Sequence, residues 1–205
     1  LLKRWLPEIP PGLTQNSRAG ERVLPSVFGE RKLNRGFEAM ALLPGGKLLL
    51  FLQSPPRPLL KEGFSLILEF DTEKEKPTGL YLYRMDPKCG KIGAAAFGRS
   101  GEILVLEQNG KTGKKAKQIV FRIEPDQVRN FLGGYGKSGL KDLPKPVKKS
   151  VWLDLKGKGL GGFEKVEGMA MDSKGRLYFV NDNDFSSAVP GKPAQPSELI
   201  AAEKP

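Results

Sequence analysis

The sequence contains no histidine, and its only cysteine is Cys89. The lack of histidine excludes the Ser-His-Asp and Cys-His mechanisms and any zinc site built on imidazole ligands. A single cysteine excludes an internal disulfide, so cysteine usage does not indicate the redox compartment. No apolar run approaches the roughly 20 residues of a membrane-spanning helix, and we expect no transmembrane segment. A metal site in this chain would have to use oxygen ligands, which Ca²⁺ and Mg²⁺ prefer.

Positive charge, in contrast, is in excess. The 205 residues include 34 Lys and Arg against 23 Asp and Glu, which gives a net charge of +11. This balance favours anionic ligands or acidic proteins as partners, although a solvated basic surface would have the same composition. The lysines concentrate in residues 111–117 and 137–149, where Gly, Ser and Pro predict loops. No aromatic residues interleave with these lysines to stack on bases, so we expect no nucleic-acid partner.

The most informative feature is a segment that occurs three times. Residues 37–52, 92–107 and 166–181 align without a gap. Each copy has small and apolar residues, a turn that ends in glycine, one polar residue and a second apolar run. Strand-turn-strand units that recur at tens of residues are typical of propeller blades. The sequence therefore predicts an all-β fold, a β-propeller with about three four-stranded blades that belong to a larger or completed propeller.

The repeat also predicts the domain organisation. We interpret residues 1–33 as an outer strand and connecting loop from a preceding blade, and residues 34–86 as blade one. Blade two covers residues 87–162 with an inserted basic loop and a short helix near residues 126–131. Residues 163–205 form an incomplete blade three and a Pro-rich tail. Three blades would leave unpaired sheet edges, which natural proteins avoid. We therefore expect the edges to be covered by missing blades of a larger propeller or by a protein partner. The sequence begins without Met, which is compatible with a processed product or an incomplete segment.

The motifs within the copies resemble those of a known family. Residues 34–41 (Asn-Arg-Gly-Phe-Glu-Ala-Met-Ala) resemble the Asn-x-Gly-Phe/Leu-Glu-Gly-Leu/Met-Ala opening of the phytase-like domain, also called the "esterase-like activity of phytase" family. Residues 103–108 resemble its Leu-Leu-Val-Leu-Glu-Arg strand, and residues 166–185 resemble its ending. The resemblance covers most of residues 34–185. It implies a β-propeller of the exported or lumenal kind, found in the periplasm, outside the cell or in the thylakoid lumen.

Two acidic residues occupy the same repeat position. Glu38 and Glu167 stand at the start of the strand predicted to be innermost, where the second copy has Gly93. Blade symmetry would point both carboxylates into a central channel, where they need a cation, hydrogen-bond donors or water. One interpretation is an oxygen-ligand site for Ca²⁺. Its ligands would be Glu38, Glu167, Asn181, Asp182 and Glu107. The alternative interpretation is structural, with both acids accepting hydrogen bonds from backbone N–H groups of neighbouring blades.

Two further patterns bear on this site. The run Asp182-Asn183-Asp184 resembles the start of a Ca²⁺-binding loop, but a turn stabilised by Asx side chains has the same residues. If phosphate chemistry occurs, we expect Arg35, Lys165 and Arg176 to hold the anion while a metal ion activates water.

Two functions are compatible with these patterns. The first is a non-catalytic binding or scaffold subunit of a larger assembly, because open sheet edges invite strand addition by a partner. Gln108, which stands where the family has arginine, favours this interpretation. The alternative is a divalent-metal-dependent hydrolase of phosphate or carboxylic esters. This alternative predicts that Glu167→Gln abolishes activity. The sequence leans towards the scaffold role.

Overall fold

The computed structural model describes residues 3–10, 12, 14, 19–98, 100–111, 113–124, 130–134, 143–158, 165–182 and 197–203. These residues contain thirteen β-strands in four sheets, and their helical residues form only short 3₁₀ segments. The predicted all-β class is therefore confirmed. Within the same residues, no helix is long and apolar enough to cross a membrane.

The chain divides into two compact units, each with its own hydrophobic core. Unit 1 comprises residues 1–85 and 125–147, and unit 2 comprises residues 86–124 and 148–205. Unit 1 is therefore built from two separate stretches of sequence.

Unit 1 contains two sheets. The strands are β1 (Trp5–Pro7), β2 (Glu21–Leu24), β3 (Phe37–Leu43), β4 (Lys47–Leu52), β5 (Phe64–Asp71) and β6 (Lys76–Arg84). Strands β1 and β2 pair in parallel, whereas β3 to β6 form an antiparallel meander in chain order. The sequence predicted this meander at residues 37–43, 47–53, 64–71 and 79–85, so all four strands are confirmed with small shifts at their ends.

The core of unit 1 follows from the alternation of side chains along β5 and β6. Leu66 and Leu68 on β5 pair with Leu82 and Leu80 on β6, and all four are buried. Phe28, from a 3₁₀ segment at Ser26–Glu30, packs into the same cluster. Each fully buried leucine or phenylalanine contributes about 1.5–3 kcal/mol relative to an exposed one. These contacts join β2, the 3₁₀ segment and the meander into one unit.

Parts of the predicted basic loop pack on the outer strand of this meander. Phe131 N–H donates to the Leu80 carbonyl at 3.1 Å, and Val147 N–H donates to the Leu82 carbonyl at 2.8 Å. The Asn130 side chain accepts from Leu80 N–H and donates to the Thr78 carbonyl. These bonds satisfy backbone groups on the outer edge of β6. Most of the helix predicted at residues 126–131 lies outside the described residues.

Unit 2 contains a four-stranded and a three-stranded meander. The first has β7 (Lys91–Phe97), β8 (Ile103–Gln108), β9 (Gln118–Glu124) and β10 (Lys148–Asp154); the second has β11 (Val166–Met171), β12 (Leu177–Asn181) and β13 (Leu199–Ala202). Both sheets contribute to one core, in which Leu104, Leu106 and Val120 share a cluster with Leu177 and Phe179. Strand β10 starts at Lys148, so the end of the lysine-rich stretch predicted as a loop is part of the sheet.

The glycine shared by the three copies has a conformational cause. Gly46, Gly101 and Gly175 occupy the same repeat position, in the turn between the first and second strands of each copy. Their φ angles are 71°, 86° and 83°, in the left-handed region that favours glycine. The recurring glycine therefore closes the same hairpin turn three times.

Candidate functional site

The second position of each copy is the extra residue of a β-bulge. The register between the first and second strands shifts at Glu38 in β3, at Gly93 in β7 and at Glu167 in β11. Bulges re-aim side chains and are over-represented next to active sites. Glu38 and Glu167 are exposed, whereas Gly93 is buried. The three copies therefore share one backbone geometry, and two of them have a carboxylate at the bulge.

The bulge of the second copy is closed by its neighbours. The Gln108 side chain donates from Nε2 to the Val166 carbonyl at 2.8 Å, which connects β8 to the first strand of the adjacent sheet. A Cβ atom on Gly93 would lie 2.7 Å from both Gln108 Nε2 and the Val166 carbonyl oxygen. Real Cβ atoms essentially never come so close to a backbone oxygen. Only glycine fits at this bulge while the Gln108 bond is made.

Glu107 lies beside this bulge as a buried carboxylate. Its side chain is fully inaccessible to solvent, and its register partner is Ile92. Oε2 accepts from the Asp86 backbone N–H at 2.8 Å, and Oε1 accepts from Lys149 Nζ. Lys149 also lies over the Phe121 ring at 4.1 Å from its centroid. Both oxygens of the predicted ligand Glu107 therefore have donors in the protein, and a metal ion would compete with the Lys149 ammonium group.

Cys89 lies in the same buried region. Burial, followed by the negative charges of Glu107 and Asp86, raises the pKa of the Cys89 thiol to about 12. Thiolate is the nucleophilic form of cysteine, so Cys89 stays protonated and unreactive at neutral pH.

In the third copy, four of the predicted site residues lie at one end of the β11–β12 hairpin. Asn181 is the register partner of Val166, and its Oδ1 accepts from the Glu198 backbone N–H at 2.8 Å. The Asp182 backbone N–H donates to the Lys165 carbonyl at 2.9 Å. Glu167 stands in the bulge beside them. The structure therefore brings Lys165, Glu167, Asn181 and Asp182 together, whereas Asn183 and Asp184 of the predicted Ca²⁺ loop lie outside the described residues.

Arg176 lies at the opposite end of the same hairpin. Its Nε donates to Asp172 Oδ2 at 2.9 Å. The pKa of Asp172 is lowered to about 2, first by the Arg176 backbone N–H and then by the guanidinium group, with burial acting in the other direction. Five strand residues, or about 16 Å, separate the two ends. The structure therefore does not bring Arg176 next to Glu167.

In the first copy, Arg35 and Glu38 lie at the same end of the β3–β4 pair. Arg35 Nη1 donates to Gln53 Oε1 at 2.7 Å, and Gln53 N–H donates to the Gly36 carbonyl at 2.9 Å. Gln53 is buried. This bond orients the predicted anion-binding arginine at the bulge end of its sheet.

Glu38 belongs to unit 1, and the other predicted metal ligands belong to unit 2. In the described part of the chain, no group of three or more Asp, Glu or Cys side chains is placed to hold a metal ion. The Ca²⁺ site formed by Glu38, Glu167, Asn181, Asp182 and Glu107 stays a prediction.

Sequence reasoning missed two contacts of this region. Gln53 and Gln108 occupy the same repeat position, directly after the aligned segment, and both side chains are engaged at the bulge end of their sheets. This recurrence in the sequence could have indicated that the two glutamines have a shared role. The contact of Lys149 has no such sequence signal, because Lys149 comes 42 residues after its partner Glu107 at the end of a lysine-rich stretch.

The geometry agrees with the outcome of comparisons with known proteins. Residues 7–185 match the family described as "Phytase-like: Esterase-like activity of phytase". The match includes all three copies of the repeat together with β2. A search of curated proteins found no match. Because the family match extends over well more than half of the sequence, the chain belongs to the phytase-like family.

Proposed function

We propose that the chain is part of a phytase-like β-propeller and acts as a non-catalytic binding or scaffold subunit of a larger assembly. The supporting observation is an exposed apolar face on the β11–β13 sheet. Val180 and Leu199 are register partners on adjacent strands, and they are 45% and 68% exposed. The opposite face of β12, with Leu177 and Phe179, is fully buried. An apolar face of a sheet is normally buried by a further layer of structure that packs on it. The exposed face of Val180 and Leu199 is therefore suited to bind such a layer.

Unit 1 has a comparable surface. Met40 and Leu42 are two positions apart on β3, so they lie on the same face, and they are 57% and 63% exposed. Single exposed apolar residues are common, but neighbouring pairs on a sheet face are typical of interaction surfaces. Each unit therefore presents an apolar sheet face of the kind that stacked blades bury.

The third sheet also has an edge suited to a partner. Among the described residues, β13 pairs with β12 alone, and its sheet has three strands where the other two meanders have four. An edge strand offers unpaired N–H and C=O groups to an added strand. We infer that a further blade or a protein partner completes this sheet.

The experiment compares the native mass of the tagged chain, isolated from its natural source, with that of Val180→Lys/Leu199→Lys. We expect the wild type to elute in a stoichiometric complex above its own 22.5 kDa. The double variant should lose the partner, because lysine cannot be buried against an apolar face without a large cost. Val151→Lys is the matched control, since Val151 is 62% exposed on β10. A stable, monodisperse wild-type monomer would rule out the proposal.

The charge balance and the family indicate what such a partner is and where it acts. A net charge of +11 favours an acidic protein or an anionic ligand, and we expect no nucleic acid. Family membership leads us to propose an exported or lumenal location. Fractionation of cells that express the natural gene tests this, and recovery in the cytosol would contradict it.

A second candidate is the divalent-metal-dependent hydrolase. It is favoured by the exposed carboxylates of Glu38 and Glu167, which stand at equivalent bulges. Bound Ca²⁺ would supply positive charge to a phosphate or carboxylic ester. The test is hydrolysis of p-nitrophenyl phosphate and p-nitrophenyl acetate with Ca²⁺ and with chelator. Activity should need Ca²⁺ and disappear in Glu167→Gln but not in Glu62→Gln, a control at an exposed turn. Activity retained in Glu167→Gln would eliminate this site.

A further inference from the structure

Unit 1 contains a pocket beside the apolar face of Met40 and Leu42, whose register partners Leu50 and Leu48 line it. Its volume is about 910 Å³, and it lies between β1, β2 and the 3₁₀ segment on one side and the face of β3 to β5 on the other. Pockets for small molecules typically have volumes of about 300–1,000 Å³. We propose that this pocket binds an amphipathic anion, specifically a soluble long-chain carboxylate.

The walls of the pocket are mainly apolar. Two ring pairs stiffen them, with Trp5 and Phe70 at 5.1 Å between centroids and Phe28 and Phe37 at 4.9 Å. Leucines from alternate positions of β4 form the floor, and Leu50 among them is only half-buried. Covering such a surface with hydrocarbon removes apolar area from water, which is favourable. The pocket therefore suits an alkyl chain better than a small hydrophilic ion.

The charged residues that line the pocket have one sign. Arg22 and Arg31 line it, and none of its described lining residues is acidic. Arg22 Nη1 donates to the Pro7 carbonyl at 2.8 Å, which holds its guanidinium group against the wall formed by β1 and β2. Arg31 is exposed. Arginine binds carboxylates through parallel hydrogen bonds, so the two side chains select an acidic head group.

Trp5 is placed to report on the pocket. It lines the apolar wall, so a ligand that fills the pocket changes the surroundings of the indole ring. Its Nε1 is buried away from solvent, so the contact expected with the ligand is through the ring.

The first experiment uses Trp5 as its own reporter. The chain has two tryptophans, Trp5 in unit 1 and Trp152 in unit 2. Trp152→Phe therefore leaves Trp5 as the one source of tryptophan fluorescence. This variant is titrated with dodecanoate, with dodecanol and with dodecyltrimethylammonium, which share the chain but differ in head-group charge. We expect a saturable change in Trp5 emission with dodecanoate, weaker binding of the alcohol and the weakest binding of the cation. Equal binding of the cation, or no saturable binding of dodecanoate, would overturn the proposal.

Two variants test whether the ligand's head group and its alkyl chain both bind in the pocket. Arg31→Gln should weaken dodecanoate binding about tenfold or more, the usual size of a charge-assisted hydrogen bond. Arg57→Gln, a matched control at an exposed position outside the lining, should leave binding unchanged. Leu50→Phe narrows the apolar wall, so it should weaken dodecanoate more than octanoate in isothermal titration. Unchanged binding in both Arg31→Gln and Leu50→Phe would contradict the proposal.

A last arm distinguishes a soluble carboxylate from a membrane surface. Vesicles of an anionic phospholipid are sedimented with the wild type and with Arg31→Gln. Vesicle binding without dodecanoate binding would overturn the pocket proposal and assign the interaction to the basic surface. Because the proposed partner complex is scored by native mass with Val180→Lys/Leu199→Lys, the two proposals fail separately.

Discussion

Gly93 and Glu167 occupy the same bulge in two copies of one repeat, and their surroundings differ in every respect that matters chemically. Around Gly93, the Gln108 amide and the Glu107 carboxylate are buried, and the Gln108 amide bonds to backbone while the part-buried Lys149 ammonium group bonds to Glu107. Around Glu167, the side chain of the bulge residue itself is exposed. The backbone geometry is shared, so the difference lies in the residue at the bulge and in the side chains packed around it.

This difference indicates which copies of the repeat have polar groups that a ligand could reach. The second copy uses its polar residues to connect two sheets, and a ligand would have to break buried bonds to reach them. The first and third copies have exposed carboxylates at the bulge, Glu38 and Glu167. We therefore propose that a binding role of the repeat would involve these two residues.

The largest expected effect is at the buried ion pair of the second copy. Lys149→Met leaves the Glu107 carboxylate buried without its cation, which typically destabilises a protein by about 3–5 kcal/mol. Urea unfolding monitored by circular dichroism measures the loss. The control is Lys149→Met combined with Glu107→Gln, which removes the charge and should recover much of the stability. A loss below about 1 kcal/mol in the single variant would show that the pair is solvated.

A smaller effect is expected when the glycine of the closed bulge is replaced. Gly93→Ala forces a methyl group against the Val166 carbonyl oxygen and should cost about 1–3 kcal/mol. In the comparison variant Gly168→Ala, one position after the bulge of the third copy, the methyl group would meet Cγ2 of Val180, a 45% exposed residue whose side chain can rotate towards solvent. We expect less than about 1 kcal/mol there. Equal losses in the two variants would mean that the closed bulge is no tighter than the open one.

The accessible carboxylates should contribute little to stability. Glu38→Ala and Glu167→Ala are expected to change the free energy of unfolding by no more than about 0.5 kcal/mol, as is usual for surface positions. Thermal unfolding with and without Ca²⁺ extends the test. Stabilisation by Ca²⁺ in the wild type that is absent from Glu167→Ala would support a metal site. If the free energy of unfolding fell by several kcal/mol in the absence of metal, these carboxylates would have a structural role like that of Glu107.

The smallest effect concerns the far end of the third copy, where Asp172 accepts from Arg176. The pKa of Asp172 in the folded state is about 2, below the usual value of about 3.9 for an aspartate in unfolded chains. Asp172 therefore stabilises the fold fully above about pH 4, and this contribution is lost as the pH falls towards about 2. The stability difference between the wild type and Asp172→Asn should shrink across that window. A difference that stays constant from pH 6 to pH 2 would exclude this linkage.

Strands were the most predictable part of the molecule. Alternation along β5 and the glycine turn at Gly46, Gly101 and Gly175 are local signals, so the strands of all three copies were predicted nearly to the residue. Strands β1 and β2 were not located as a pair, because three and four residues are too short to show a period. The bulge positions were found as an alignment, but a register shift has no sequence signature of its own.

The candidate site was less predictable, since its decisive contacts join residues far apart in sequence. Asn130 bonds to the backbone of β6 from 50 residues away, and Lys149 reaches Glu107 from a stretch that composition marks as a loop. Side-chain bonds to backbone and isolated ion pairs have no periodicity. The pocket of unit 1 was missed for the same reason, because Trp5, Arg22 and Phe70 come from three separate stretches.

The bonds of Phe131 and Val147 to β6 also set an order for biosynthesis. A ribosome releases the edge of β6 roughly 60 residues before Val147, which at about 5–20 residues per second is a delay of roughly 3–12 s. During that time β7, β8 and β9 emerge while the outer edge of β6 still lacks these partners. The nascent chain thus carries an open edge that pairs readily with other strands, and release of the segment up to Val147 ends that exposure.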